Sequence, residues 1–324
     1  MNKKYFCTLF DSGYLIKGLV MLDSLHKNCP NLLVFVLCMD EATQDLLSQI
    51  KLPYVRLISL REIETDELLA VKKDRGVAEY CWTLSPCLPW YLMQTFSDID
   101  FITYLDADLQ FYSSVQPLFD EIANSSIAII EHRFTKRLMS NLVNGRFCVE
   151  WVSFRRDEEG MVCLSRWREQ CIEWCYYRLE DGRMGDQKYL DEWPALYKSC
   201  HILQHIGAGV APWNYAQYIF GKGAAQELTV NNLPLIFYHF HQFQLLKDGK
   251  FDRLSSFYTS EAREPELIYL EYENALRGKL AMIRQLSPEF DSGLREPASI
   301  SLRRLIQRYL PSKVKNALRL VIRL

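Results

Sequence analysis

The first hundred residues alternate short apolar runs with amphipathic ones, and this rhythm restricts the fold more than any other feature of the chain. Lys4–Phe10, Leu32–Cys38 and Tyr54–Ser59 are predominantly apolar, whereas Leu15–His26 and Glu41–Ile50 between them repeat apolar residues at helical spacing. Strand, helix, strand, helix, strand at this pitch predicts βαβ units, hence an α/β, Rossmann-like chain with a mainly parallel sheet flanked by helices. A helix is predicted over Ser85–Phe96, with Pro86 near its start, then a strand over Asp100–Leu105 that runs straight into Asp106-Ala-Asp108. Val115–Ile122 reads as a helix, Ser126–Glu131 and Phe147–Arg155 as strands, and Gly160–Leu179 as a long amphipathic helix. Gln204–Trp213 is a glycine-bearing loop, Leu235–Phe243 is β-like, and Glu261–Gln285 is helical, followed by a polar hinge at Ser287–Pro297. The organisation expected is therefore a main domain over residues 1–246, a helical extension over 247–297 and a tail over 298–324.

Composition closes off several alternatives. With 49% apolar and 24% charged residues the chain has the makings of a packed core and is neither disordered nor fibrous. No run approaches the ~18 apolar residues of a spanning helix, and the N-terminus lacks a signal-peptide pattern. The ten cysteines show no framework spacing and fit a reducing, cytoplasmic compartment, with Cys171 and Cys175 expected on one buried helix stripe. A net charge of −2 argues against nucleic acid as a partner, but the charge is uneven. Residues 301–324 hold seven cations and no acid; subtracting those seven from −2 leaves −9 on the rest. Leu302, Leu305, Ile306, Tyr309, Val314, Leu318 and Val321 recur there at helical spacing. A basic amphipathic tail of this kind suits an anionic membrane surface, or alternatively docking onto the acidic main domain.

Three segments carry chemistry. Tyr104-Leu-Asp106-Ala-Asp108 sets two carboxylates at the carboxyl end of a buried strand, where open α/β sheets bind ligands. In extended geometry the two would point the same way and converge on one hard cation. Tyr238-His239-Phe-His241 offers two imidazoles on one strand face, either of which could complete a metal shell. Gly185-Asp186-Gln187 sits at a turn, with Asp186 a fitting N-cap for the helix after it.

In this order the segments resemble the GT-A-fold nucleotide-sugar glycosyltransferases, in particular glycosyltransferase family 8 and its bacterial relatives, over roughly residues 4–245. Tyr-Leu-Asp-Ala-Asp-Leu is similar to the family's DxD metal motif, Gly-Asp-Gln-Lys-Tyr-Leu to its acceptor-side segment, and Phe-Tyr-His-Phe-His to its late metal histidine. His205-Ile-Gly207-Ala-Gly209 resembles the loop over the sugar-nucleotide. Thr8, Phe10, Asp11 and Tyr14 match the nucleotide-contacting first strand and loop, and Trp82 and Thr83 the segment before the metal strand. The resemblance implies a metal-dependent hexosyltransferase that uses Mn²⁺ or Mg²⁺ on Asp106, Asp108 and a histidine. It implies a nucleotide-sugar donor, a UDP-sugar favoured, and retention at the anomeric carbon, with Asp106 also touching the donor. Asp186 and Gln187 would be the catalytic pair beside the reacting centre. A glycan or lipid-linked acceptor, bacterial polysaccharide biosynthesis and a peripheral place on the inner face of the cytoplasmic membrane follow from the same likeness. Relatives carry Asn and Gly where this chain has Cys148 and Glu150. The two are expected beside the donor sugar, altering donor choice or, on the alternative reading, marking a non-catalytic sugar-nucleotide-binding descendant. A sugar-nucleotide pyrophosphorylase is disfavoured, because Asp11-Ser-Gly-Tyr-Leu-Ile-Lys is no Gly-rich, Arg-bearing loop.

Overall fold

The computed structural model describes residues 3–253, Tyr258 and residues 264–297. The alternation read from the sequence folds as expected. Strand β1 (Lys4–Phe10), helix α1 (Leu15–Asn28), β2 (Leu32–Cys38), α2 (Glu41–Ile50) and β3 (Val55–Ser59) form two βαβ units. With β4 (Phe101–Leu105), β6 (Ile127–Glu131), β7 (Phe147–Arg155) and β8 (Cys200–Ile202) they build a seven-stranded sheet in the order β3-β2-β1-β4-β7-β6-β8. Only β7 runs against the others. The architecture is a mainly parallel α/β sheet with helices on both faces.

Strand alternation sorts the core into two layers. Along β1, Phe6 and Phe10 pack with α1, while Cys7 and Leu9 face the layer of helices Val77–Thr95 and Glu158–Glu173. Both faces of the strand are therefore apolar, as parallel strands covered on each side require. Helix Glu266–Leu286 joins the α1 layer through Tyr269, Tyr272 and Leu276, with the Tyr269 hydroxyl 2.9 Å from that of Tyr238 and Lys279 paired with Asp23.

The helix expected at Ser85 starts at Val77 and runs to Thr95, with Pro86 and Pro89 inside it. Its N-terminus is closed by Glu79, which accepts from Gly76 N at 2.8 Å and from Tyr177 N at 2.8 Å. Tight packing in the second layer holds it together where proline would break an isolated helix. The helix expected over Gly160–Leu179 spans Glu158–Glu173, capped by Asp157, so Cys171 lies on it and buried Cys175 lies beyond its end. Asp186 makes no side-chain cap; a short 3₁₀ turn, Gln187–Glu192, follows it instead.

One small ribbon positions the chemistry. Strand β5 (Leu109–Phe111) pairs antiparallel with the strand Phe237–His239, setting His239 opposite Leu109. The β-like stretch Leu235–Phe243 thus contributes just three residues to a strand. Among the described residues no helix is long and apolar enough to cross a membrane. Residues 298–324, where the basic amphipathic tail was expected, lie outside the described residues.

Candidate active site

The strand order reverses at β1, which lies between β2 and β4, so a crevice opens outside the carboxyl ends of β1 and β4. Asp11 follows β1, and Asp106 and Asp108 follow β4. The two aspartates sit in a tight turn between β4 and β5, and it is this turn, rather than strand alternation, that brings them together. The β5 ribbon then carries His239 to them: Phe240 N donates to Asp108 O at 2.9 Å, and His239 N to Val210 O at 2.8 Å.

His239 is the imidazole that meets the carboxylates. Its Nε2 lies 3.0 Å from Asp108 Oδ1 and 3.9 Å from Asp106 Oδ2. Its Nδ1 lies 2.6 Å from Glu150 Oε2. His241 falls just after the strand and stands one ring further out, edge-on to His239 with centroids 5.6 Å apart and against Trp213 and Tyr258. The pair of histidines expected on one strand face is therefore split, one facing the aspartates and one set edge-on behind it.

Cys148 and Glu150 share a face of β7 because their positions differ by two. Cys148 points at Asp106 and His239: its sulfur, a carboxylate oxygen of Asp106 and a ring nitrogen of His239 all lie within 4.8 Å of one another. Glu150 departs from the expectation of a donor-sugar contact. It has no exposed surface, one oxygen is spent on His239, and the other has no hydrogen-bond partner. A carboxylate so enclosed cannot touch a ligand in the crevice; it grips the histidine from behind.

The electrostatics follow from three carboxylates, Asp106, Asp108 and Glu150, around one imidazole. Burial lifts Asp106 to about 7; the His239 charge works against this, and Asp108, Asp186 and Glu150 add to it. Burial would raise Asp108 as well, but the charge and hydrogen bond of His239, with Lys17 beyond, hold it well below the usual carboxylate range. Burial would lower His239, yet Asp108, Cys148 and Glu150 pull its imidazolium well above the usual range. Burial raises Asp186 to about 7, with Ser85 and backbone amides opposing, and burial together with His239 lowers His241 to about 3.

The remaining expected residues divide. Tyr14 is half-exposed at the first turn of α1, its backbone N bonded to Asp11, and its phenol is pushed up chiefly by the charge of Asp108. Trp82 lies over Gly185, so the Asp186 turn is backed by an indole. Gln187 donates to Asn144 O at 3.0 Å, which ties it to the 3₁₀ segment before β7. Gly207 lies so close to Pro234 O that an added Cβ would sit 2.1 Å from it, and Gly209, at φ +70°, backs directly onto Ile130 and Glu150. Thr8 and Phe10 are buried in β1, and Thr83 turns away to bond Arg75 and the Glu79 carbonyl. Those three side chains offer no face to the crevice, because strand and helix alternation points them into the core.

Two contributors escaped the sequence reading. Lys17, on the first turns of α1, has its ammonium 4.4 Å from the Tyr14 ring centre and is the cation that Asp108 senses beyond the histidine. Its signal was available: the first helix after β1 is where anions dock. Asn214, fully buried, clamps the glycine loop by donating to His132 O and Gly209 O and accepting from Ala211 N.

Residues 6–156 match the family model described as Glycosyl transferase family 8. The matched segment carries β1, the two aspartates and β7. The chain belongs to the GT-A glycosyltransferases related to family 8. A wider likeness extends over most of its length: it is 31% identical to the protein YfnD of Bacillus subtilis (strain 168) over 296 residues, 90% of this chain and 95% of YfnD. Among solved structures, the glycosyltransferase GlyE of Streptococcus pneumoniae TIGR4 superposes with a TM-score of 0.52 at 16% identity, covering 90% of this chain and 66% of that one. The galactosyltransferase LgtC, solved with donor and acceptor sugar analogs, gives 0.50 at 13% identity, covering 85% and 99%. Both establish the fold.

Proposed function

We propose that this glycosyltransferase moves a sugar from a nucleotide diphosphate donor, a UDP-sugar favoured, to a glycan or lipid-linked hydroxyl with retention. The observation that carries the reading is the convergence of Asp106, Asp108 and His239 at the switch point of the sheet. Asp106, Asp108 and His239 together offer hard oxygens and a nitrogen, a donor set that fits a divalent cation such as Mn²⁺ or Mg²⁺. Such a cation, when bound, neutralises charge on the diphosphate leaving group.

The chain's own residues do the rest. Asp106, Asp108 and His239 hold the cation's place, and Glu150 fixes the ring orientation of His239. Lys17 and the N-terminus of α1 add positive potential beside the phosphates. Asp186 and Gln187 position the acceptor, Asp186 from a buried turn braced by Trp82 and Trp167, whose indole N donates to Asp186 O at 3.0 Å. The departing phosphate takes the acceptor's proton, so no protein base is required.

A panel of nucleotide sugars, scored by nucleoside diphosphate release with and without Mn²⁺, tests the reading. One UDP-sugar should stand out, and only with the cation. Silence across the whole panel would count against catalysis. We also propose that the basic tail holds the enzyme on anionic membranes from the cytoplasmic side. Full-length protein should then co-sediment with anionic liposomes at low salt and a chain ending at residue 297 should not; equal sedimentation would remove the membrane role.

A further inference from the structure

We infer that Cys148 supplies a sulfur ligand to the cation of this site, beside Asp106 and His239, and biases the site toward thiophilic divalent ions. The inference rests on the metal-dependent reading above and adds a ligand and a selectivity to it.

Three ligand atoms from three separate strands or strand ends converge. Asp106 leaves β4, Cys148 lies near the start of β7, and His239 ends the strand that pairs with β5. Their oxygen, sulfur and nitrogen lie within 4.8 Å of one another, close enough to close on one ion with small side-chain movements. Cys148 is 5% exposed, and its strand neighbour on the same face, Glu150, is fully enclosed and bonded to His239 Nδ1. That bond presents Nε2 toward the aspartates and makes the ring a better ligand, the arrangement of a carboxylate–histidine–metal triad. The second oxygen of Glu150 has no hydrogen-bond partner, so the carboxylate's charge is met within the protein through its contact with the His239 ring. A dication next to the histidine would offset it.

Thiolate, imidazole and carboxylate together favour Zn²⁺ or Co²⁺ over Mg²⁺ and Mn²⁺, for which oxygen donors suffice. On binding, the thiol gives up its proton to solvent and the sulfur lone pair forms the bond to the ion; no oxidant or reductant is needed. The remaining nine cysteines do not approach a comparable set of ligands among the described residues.

The test is X-ray absorption on full-length protein, stripped with chelator and reloaded with one equivalent of Zn²⁺. The expected spectrum contains one sulfur scatterer at ~2.3 Å with nitrogen and oxygen at ~2.0–2.1 Å. Cys148→Ser should lose the sulfur shell, and its preference for Zn²⁺ over Mn²⁺ should fall by roughly 10-fold. If Cys148→Ser folds poorly, Cys148→Ala carries the same comparison. A bound ion with only nitrogen and oxygen neighbours in the unaltered protein would overturn the sulfur ligand while leaving metal dependence intact. A sulfur shell that survives in the variant would overturn it as well. Failure to bind any ion would overturn both readings.

Discussion

Glu150 Oε2 and His239 Nδ1 stand 2.6 Å apart, with no solvent reaching the carboxylate. The contact ties the middle of the sheet to the ribbon that carries the histidine, and it fixes which ring nitrogen faces the aspartates.

Replacing that carboxylate with an amide keeps the shape and removes the charge. Glu150→Gln should leave the fold intact and weaken cation binding by ~10–100-fold, as losses behind a metal histidine do. Calorimetric titration with Mn²⁺ or Zn²⁺ measures it. Unchanged affinity would mean that Glu150 is a packing residue only.

Asp106 provides a pH-dependent signature in chelated protein. Its folded value, about 7, lies above the ordinary ~3.9 of an unfolded aspartate, so folding favours its protonated form. That contribution is fully present below pH ~4 and is lost as pH rises through about 7. Asp106→Asn, which cannot ionise, should therefore gain on the parent protein between pH 4 and 8, by ~2 °C or more in Tm at the upper end. A Tm difference that stays flat across this range would contradict the assigned shift.

Gly209 is held at φ +70° with Ile130 and Glu150 against its Cα. Gly209→Ala should cost ~1–2 kcal/mol for the left-handed backbone alone. The displaced neighbours add to this and disturb Glu150. Gly182→Ala is the control, since φ there is +75° and nothing lies within 4 Å. Chemical denaturation should show the first variant clearly less stable than the second, with weaker cation binding as well. Equal losses would mean that the contact with Glu150 carries nothing.

The parallel core was readable because β1, β2 and β4 are buried on both faces and their apolar runs stand out against amphipathic α1 and α2. The aspartates and His239 were readable for the same reason, each being polar inside or directly after an apolar run. Other features depended on tertiary context. Pro86 and Pro89 disguised a helix that begins at Val77, because packing overrides the local cost of proline. Whether His239 or His241 meets the carboxylates is decided by the pairing of Leu109 with His239, a long-range register that no local pattern encodes. Glu150 reads in the sequence as a misplaced charge; its partner lies 89 residues away. Phe10 and Thr83 belong to matching segments, yet their side chains turn into the core.

With Asp106, Asp108 and His239 as its ligands, a divalent cation is expected to be required for donor cleavage. Asp108→Asn keeps the side chain's shape, removes its charge and weakens the 3.0 Å contact with His239. The most direct measurement is nucleoside diphosphate release from the preferred UDP-sugar by chelated protein, by protein resupplied with cation, and by Asp108→Asn with cation. Release is expected in the second case alone, with the variant reduced ~100-fold or more. Release that persists after chelation, or that Asp108→Asn supports at the parent rate, would contradict it.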